Sequence, residues 1–131
     1  MHWLLLAVIT IATTSPLAAS TDADPMGGPR LRPRGERTAS WLEEGLAKSS
    51  SVRALADTLA RGDLIVYIVA DPQLPRHLDG GLTWQARAGK FRYVRISLNP
   101  RLTRVQAIAT LAHELQHAVE VLEAPEVVCS L

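Results

Sequence analysis

Cysteine is almost absent from this 131-residue chain, and neither sign of charge prevails. The single thiol, Cys129, can form neither a disulfide within the chain nor a cysteine-cluster metal site. Any metal must therefore be held by histidine and carboxylate side chains. Fourteen basic residues stand against thirteen acidic ones, and a net charge of +1 favours neither a nucleic acid nor an anionic membrane as a partner.

Long apolar runs are also missing. The longest, residues 3–12, has about half of the roughly 20 residues that a helix needs to cross a bilayer. Small residues at 18–20 follow it, as at a signal-peptidase site, although neither Lys nor Arg precedes it. We therefore expect a secretory signal peptide at residues 1–20, a secreted or periplasmic protein, and no stable membrane span.

Residues 21–37 are rich in proline, glycine and arginine, a composition that breaks helices and buries little apolar surface. We interpret this segment as a flexible linker. Its arginines could meet an acidic surface such as a cell envelope. No aromatic residues are interleaved with them, however, which favours a solvated linker over a binding segment. The rest of the chain, residues 38–131, is long enough for one modest domain.

The first half of this domain carries one helical pattern and three strand patterns. Apolar residues recur at helical spacing over residues 39–60, with a weak point around Ser49 to Ser51. A mostly β-branched run at 64–69 predicts an interior strand. Residues 82–86 and 91–98 predict a hairpin, and the charged residues of its second strand predict one solvent-exposed face.

A second helix is predicted near the end of the chain. Thr103 and Gln106 fit a capping box at its start, and Pro125 sets its end near Glu123. Apolar residues spaced by three or four from Val105 onward form a stripe that we expect to pack on the sheet. The pattern as a whole indicates an α+β domain with a sheet of three or more strands.

Two histidines stand four residues apart on this predicted helix. At about 100° per residue, His113 and His117 project from one face, so both imidazoles can bind one ion. Zinc accepts neutral histidine nitrogens, and a catalytic zinc site has three protein ligands with a fourth position for water. Glu114 adjoins the first histidine and could take the proton of a water that the metal makes acidic. This arrangement suits amide hydrolysis.

Residues 110–119, Thr-Leu-Ala-His-Glu-Leu-Gln-His-Ala-Val, resemble the extended HExxH helix of the zincin metallopeptidases. The uncharged residues around the histidines, and Thr110 three positions before His113, agree with that pattern. The resemblance implies a Zn²⁺ cofactor, a peptide or protein substrate, and a small twisted sheet whose edge strand holds the substrate in extended form. It does not identify a particular zincin family.

The third zinc ligand is not evident. Zincins take it downstream, from a histidine in an extension of the motif or from a glutamate on a later helix, and neither is found after His117. We therefore expect the domain to be incomplete at its carboxyl end. Glu120 lies on the same helix face and is a candidate third ligand, although about 10 Å along the axis separates it from His113. Less direct alternatives are Glu123, Glu126 and the loop residue His77.

Two functional hypotheses follow. In the first, the protein hydrolyses peptide bonds with zinc, using His113 and His117 as ligands and Glu114 as general base. In the second, it is a secreted zincin-like binding or structural module without catalysis. The sequence leaves the oligomeric state open.

Overall fold

The computed structural model describes residues 28–126, which form a four-stranded mixed sheet and three helices. The elements in chain order are β1 (Leu31–Arg34), α1 (Glu36–Lys48), α2 (Ser50–Ala60), β2 (Leu64–Ala70), β3 (Gly80–Ala88), β4 (Phe91–Leu98) and α3 (Arg104–Leu122). The expected α+β class is confirmed. The predicted signal peptide and Cys129 lie outside the described residues.

The strand order in the sheet is β1-β2-β4-β3. The pairs β1–β2 and β2–β4 are parallel, whereas β3 runs antiparallel to β4. The strands β2 and β4 are therefore central, and the mostly apolar sequence of β2 suits an interior strand. Within residues 28–126, the outer edge of β3 has no strand beside it.

The predicted hairpin is confirmed as β3 and β4. Ala88 pairs with Phe91, so only Gly89 and Lys90 form the turn. Gly89 has a φ of 59°, in the left-handed region that glycine tolerates and that tight hairpin turns require. A register shift between Trp84 and Ala86 marks a bulge in β3.

All three helices contact the sheet or each other on one side, where they form the core. The predicted helix over 39–60 is divided at its weak point into α1 and α2 by Ser49, whose extended backbone breaks the helix. The Ser49 side chain then caps α2 by accepting a hydrogen bond from the Val52 amide. The core includes the following strand and helix residues: Leu64, Val66, Ile68, Val94, Ile96, Leu98, Leu111, Leu115 and Ala118.

The linker prediction for residues 21–37 is wrong in its second part. Residues 31–34 pair with β2, and α1 already begins at Glu36. Leu31 points into the core and is only 9% exposed. The composition of residues 21–37 does not indicate this apolar contact. Pro33 is compatible with the strand because β1 lies at the edge of the sheet, where a missing N–H group is tolerated.

The helix α3 begins and ends where the sequence predicts. Thr103 and Gln106 form both hydrogen bonds of the capping box, and Glu123 is the residue that closes the helix. The predicted apolar stripe is only partly right, because Val105 is 80% exposed. The buried face consists of Ala107, Leu111, Glu114, Leu115, Ala118, Val119 and Val121. Among residues 28–126, no helix has the length and apolar character needed to span a bilayer.

Candidate metal centre

The helix α3 brings the imidazoles of His113 and His117 together on its solvent-facing side. Their Nε2 atoms are 3.1 Å apart, and the two rings are perpendicular with centroids 4.6 Å apart. This convergence is the geometry that the four-residue spacing predicts. The His117 side chain is 43% exposed, so its ring is open to a ligand from solvent.

The distance between the two nitrogens fits zinc. Two nitrogen ligands at 2.0–2.1 Å on a tetrahedral ion lie about 3.3 Å from each other. The observed 3.1 Å differs from this value by an amount that a small side-chain rotation would supply. The two histidines are thus suitable as half of a tetrahedral ligand set.

Glu120 lies on the far side of the His117 ring from His113. Its Oε2 atom is 3.0 Å from His117 Nδ1, whereas His117 Nε2 faces His113. The hydrogen bond with His117 lowers the pKa of the Glu120 carboxyl below its ordinary value. This geometry does not support Glu120 as the third ligand, because its carboxylate is directed away from the space between the two Nε2 atoms.

The described part of the chain contains no third metal ligand beside the two histidines. Between residues 28 and 126, no group of three or more histidine, cysteine or acidic side chains is placed to hold a metal. Glu123 and Glu126 are exposed at the end of α3, and His77 is exposed in the loop before β3. The structure therefore brings the two predicted histidine ligands together, but it places none of the predicted third ligands beside them.

Glu114 is buried beside the histidine pair. Its side chain lies on the sheet-facing side of α3, and the residue is only 6% exposed. Burial raises the pKa of the Glu114 carboxyl, while the imidazoles of His117 and His113 act in the opposite direction. Within residues 28–126 the carboxylate accepts no hydrogen bond from a protein group, but it lines the groove between β3 and α3, so solvent can reach its oxygens.

An open groove of about 380 Å³ runs beside this carboxylate. It lies between the beginning of β3 and the middle of α3, and its walls are formed by Asp79, Gly80, Ala109, Thr110, His113 and Glu114. Three of these residues, Thr110, His113 and Glu114, belong to the predicted HExxH segment. The sequence analysis did not identify Asp79 and Gly80. The pair Gly80-Gly81, just before a strand pattern, is the signal that could have indicated them.

Gly80 allows the edge strand to approach α3 closely. A Cβ atom at this position would lie 2.9 Å from the Ser97 carbonyl oxygen and 2.9 Å from Thr110 Cγ2. Such distances are too short for any side chain, so a glycine is needed where β3 meets α3. The nearby strand aromatics serve packing, since Trp84 packs against the core and Tyr93 stacks on Tyr67.

Comparison of the chain with protein-family models, with curated proteins and with solved structures gave no match. The chain is therefore assigned to no family. The resemblance to the zincin helix depends on residues 110–119 alone, and functional inference depends on the geometry of the site.

Proposed function

We propose that this protein hydrolyses peptide bonds with the help of zinc. The observation that carries the proposal is the position of Glu114, whose largely buried side chain lines the groove next to two histidine Nε2 atoms that are 3.1 Å apart. A carboxylate with a raised pKa beside a metal-binding pair is the arrangement expected of a general base.

His113 and His117 would hold the metal through their Nε2 atoms, as neutral imidazoles. Zinc, when bound, supplies a Lewis acid that polarises a carbonyl and makes a water molecule acidic near neutral pH. Both residues are on one rigid helix, so the separation of their nitrogens would change little when the metal binds. This rigidity limits the conformational entropy that binding would cost.

Glu114 would transfer a proton from the attacking water to the leaving amine. Its carboxylate accepts one proton from the attacking water, and the same proton then goes to the nitrogen of the leaving amine, which restores the carboxylate. Burial favours the protonated state of the carboxyl, so the intermediate stage of this transfer is less costly than it would be in water. The roles assigned to Glu114 and to the histidines are those that the zincin resemblance implies.

The edge of β3 supports a peptide as the substrate. The groove begins at Gly80, where β3 starts, and the outer edge of this strand has no neighbour within residues 28–126. An extended peptide can add to a free strand edge through main-chain hydrogen bonds, which recognise any sequence. A peptide bound there would pass the histidines and Glu114 at one end of the strand.

The proposal requires a third metal ligand that residues 28–126 do not supply. The same observation favours the second candidate function, a zincin-like binding or structural module in which catalysis is absent. Both candidates agree with the proposed export of the protein to the cell exterior or the periplasm.

The experiment that separates the two candidates is peptide cleavage by the full chain in the presence of zinc. A mixture of peptides of varied sequence is incubated with wild type, with Glu114→Gln and with the control Glu43→Gln, and the products are identified by mass spectrometry. We expect cleavage by wild type and by the control, and a rate about 10²–10⁴-fold lower for Glu114→Gln with unchanged zinc content. A zinc-loaded wild type that cleaves nothing would support the binding module instead.

A further inference from the structure

The two nitrogens of the His117 ring have different partners. Nδ1 is 3.0 Å from Glu120 Oε2, and Nε2 is 3.1 Å from His113 Nε2. An ionised carboxylate can only accept hydrogen bonds, so the bond to Glu120 requires a proton on Nδ1. The Nε2 atom of a neutral His117 then carries the lone pair.

This protonation state is the one that metal binding through Nε2 requires. A neutral histidine free in water prefers the opposite tautomer, in which the proton is on Nε2. Without Glu120, His117 would therefore have to change tautomer before it could bind a metal at that atom. His113 has no corresponding acceptor at its Nδ1 atom within residues 28–126.

We propose that Glu120 is a positioning residue, which holds His117 in the Nδ1–H tautomer and directs its Nε2 lone pair toward the metal site. This inference rests on the proposed function, since it assigns Glu120 a part in the same site. It replaces the role of third ligand, which the orientation of the carboxylate does not support. Carboxylates that orient metal-binding histidines in this way raise metal affinity about 10–100-fold.

The position of Glu120 on α3 explains how it can do this. Residues three apart on a helix are neighbours on the surface, so Glu120 reaches the ring of His117 without any change in the backbone. The carboxylate is 58% exposed. Its distance from the core means that its removal should leave the stability of the fold almost unchanged.

The test uses Glu120→Ala, Glu120→Gln and, as a control, Glu43→Gln at an exposed glutamate of α1, in the full chain. Zinc affinity is measured by competition with a chromophoric chelator. The tautomer of His117 is read from the ¹⁵N shifts of its ring in zinc-free protein at about pH 8, above the ordinary histidine pKa of about 6.5. Wild type should have the proton on Nδ1, and Glu120→Ala should shift it toward Nε2 and weaken zinc binding about tenfold.

The Gln variant separates positioning from ligation. A glutamine can still accept the hydrogen bond from Nδ1 through its carbonyl oxygen, but it is a poor zinc ligand. If Glu120 positions the ring, Glu120→Gln keeps the wild-type tautomer and most of the zinc affinity, as does Glu43→Gln. Equal losses in Glu120→Gln and Glu120→Ala would overturn the inference in favour of direct ligation.

Failure of the inference differs from failure of the proposed function. If wild type binds zinc and Glu120→Ala binds it equally well with an unchanged tautomer, the positioning role is refuted and the metal site remains. If wild type binds no zinc, the proposed function and the role of Glu120 within it are both refuted.

Discussion

Arg92 of β4 forms a two-bond ion pair with Asp63, the residue that precedes β2. The Nη2 and Nε atoms of Arg92 are 3.0 Å and 3.2 Å from the two carboxylate oxygens of Asp63. The other donors of the guanidinium bind carbonyl oxygens at the carboxyl end of α3, those of Val121, Leu122 and Ala124. All five N–H groups of a side chain that is 1% exposed are thereby satisfied, and the end of α3 is fixed to the sheet.

Replacement of Arg92 by methionine should lower the free energy of unfolding by about 1–3 kcal/mol, because the Asp63 carboxylate, which is 40% exposed, loses its two hydrogen-bond donors. The loss also leaves the last carbonyls of α3 without donors. Urea denaturation followed by circular dichroism measures the change. Arg87→Met is the matched control, because Arg87 pairs with Arg92 across the hairpin but is exposed, and it should change the stability by less than about 0.5 kcal/mol. Similar losses in both variants would contradict this role of Arg92.

The contact of Gly80 with α3 can be tested against its neighbour. Gly80→Ala introduces a methyl group 2.9 Å from a backbone oxygen, so β3 must move away from α3, at a cost of about 1–3 kcal/mol. Gly81→Ala meets nothing within 4 Å and should have almost no effect. Denaturation curves of the two variants, with the zinc affinity of each, would check this. An unchanged stability of Gly80→Ala would show that β3 and α3 are not held together at this point.

The Glu44 carboxylate links α1 to the start of α3 through ion pairs. Its contribution to the stability of the fold should depend on pH. Glu44 is 2.9 Å from Lys48 Nζ and 2.6 Å from Arg104 Nη1. The hydrogen bonds from Lys48 and Arg104 lower the pKa of Glu44 below its ordinary value of 4.5. Because the folded-state pKa is the lower one, the stabilisation is complete above about pH 4.5 and is lost as the pH falls through the lowered value.

We therefore expect Glu44→Gln to be less stable than wild type at neutral pH and to differ from it less at about pH 3. The exposed neighbour Glu43→Gln is the control and should match wild type at both pH values. Urea denaturation at the two pH values, at low salt, gives the comparison. A difference that grows as the pH falls would have the wrong sign and would reject this explanation.

The parts of the fold that the sequence predicts are those in which local pattern and tertiary packing agree. The β-branched run at 64–69 predicts an interior strand, and β2 lies between β1 and β4 in the sheet. Thr103 and Gln106 satisfy the orphan amides of α3 by themselves, so this helix starts where its local sequence requires. The positions of His113, Glu114 and His117 on one helix follow from spacing alone.

The features that could not be predicted depend on distant partners. Nothing near Arg92 in sequence indicates burial, since its partners are Asp63 and the end of α3, and the predicted wet face of β4 is wrong at this residue. The strand β1 could not be predicted from its local sequence, because its pairing with β2 outweighs the tendency of Pro33 to disfavour a strand. Glu120 lies three residues from His117 and could have been read from spacing as a hydrogen-bond partner of the ring, not only as a ligand.

Metal content tests the central claim most directly. The full chain, its His113→Ala variant and its His117→Ala variant are supplied with zinc, dialysed and analysed by elemental mass spectrometry, with circular dichroism to verify that each is folded. We expect about one zinc per chain in wild type and a loss of zinc in both variants, because two converging imidazoles are needed to hold the ion. A folded wild type that retains no zinc, or equal zinc in all three proteins, would contradict the assignment of this site.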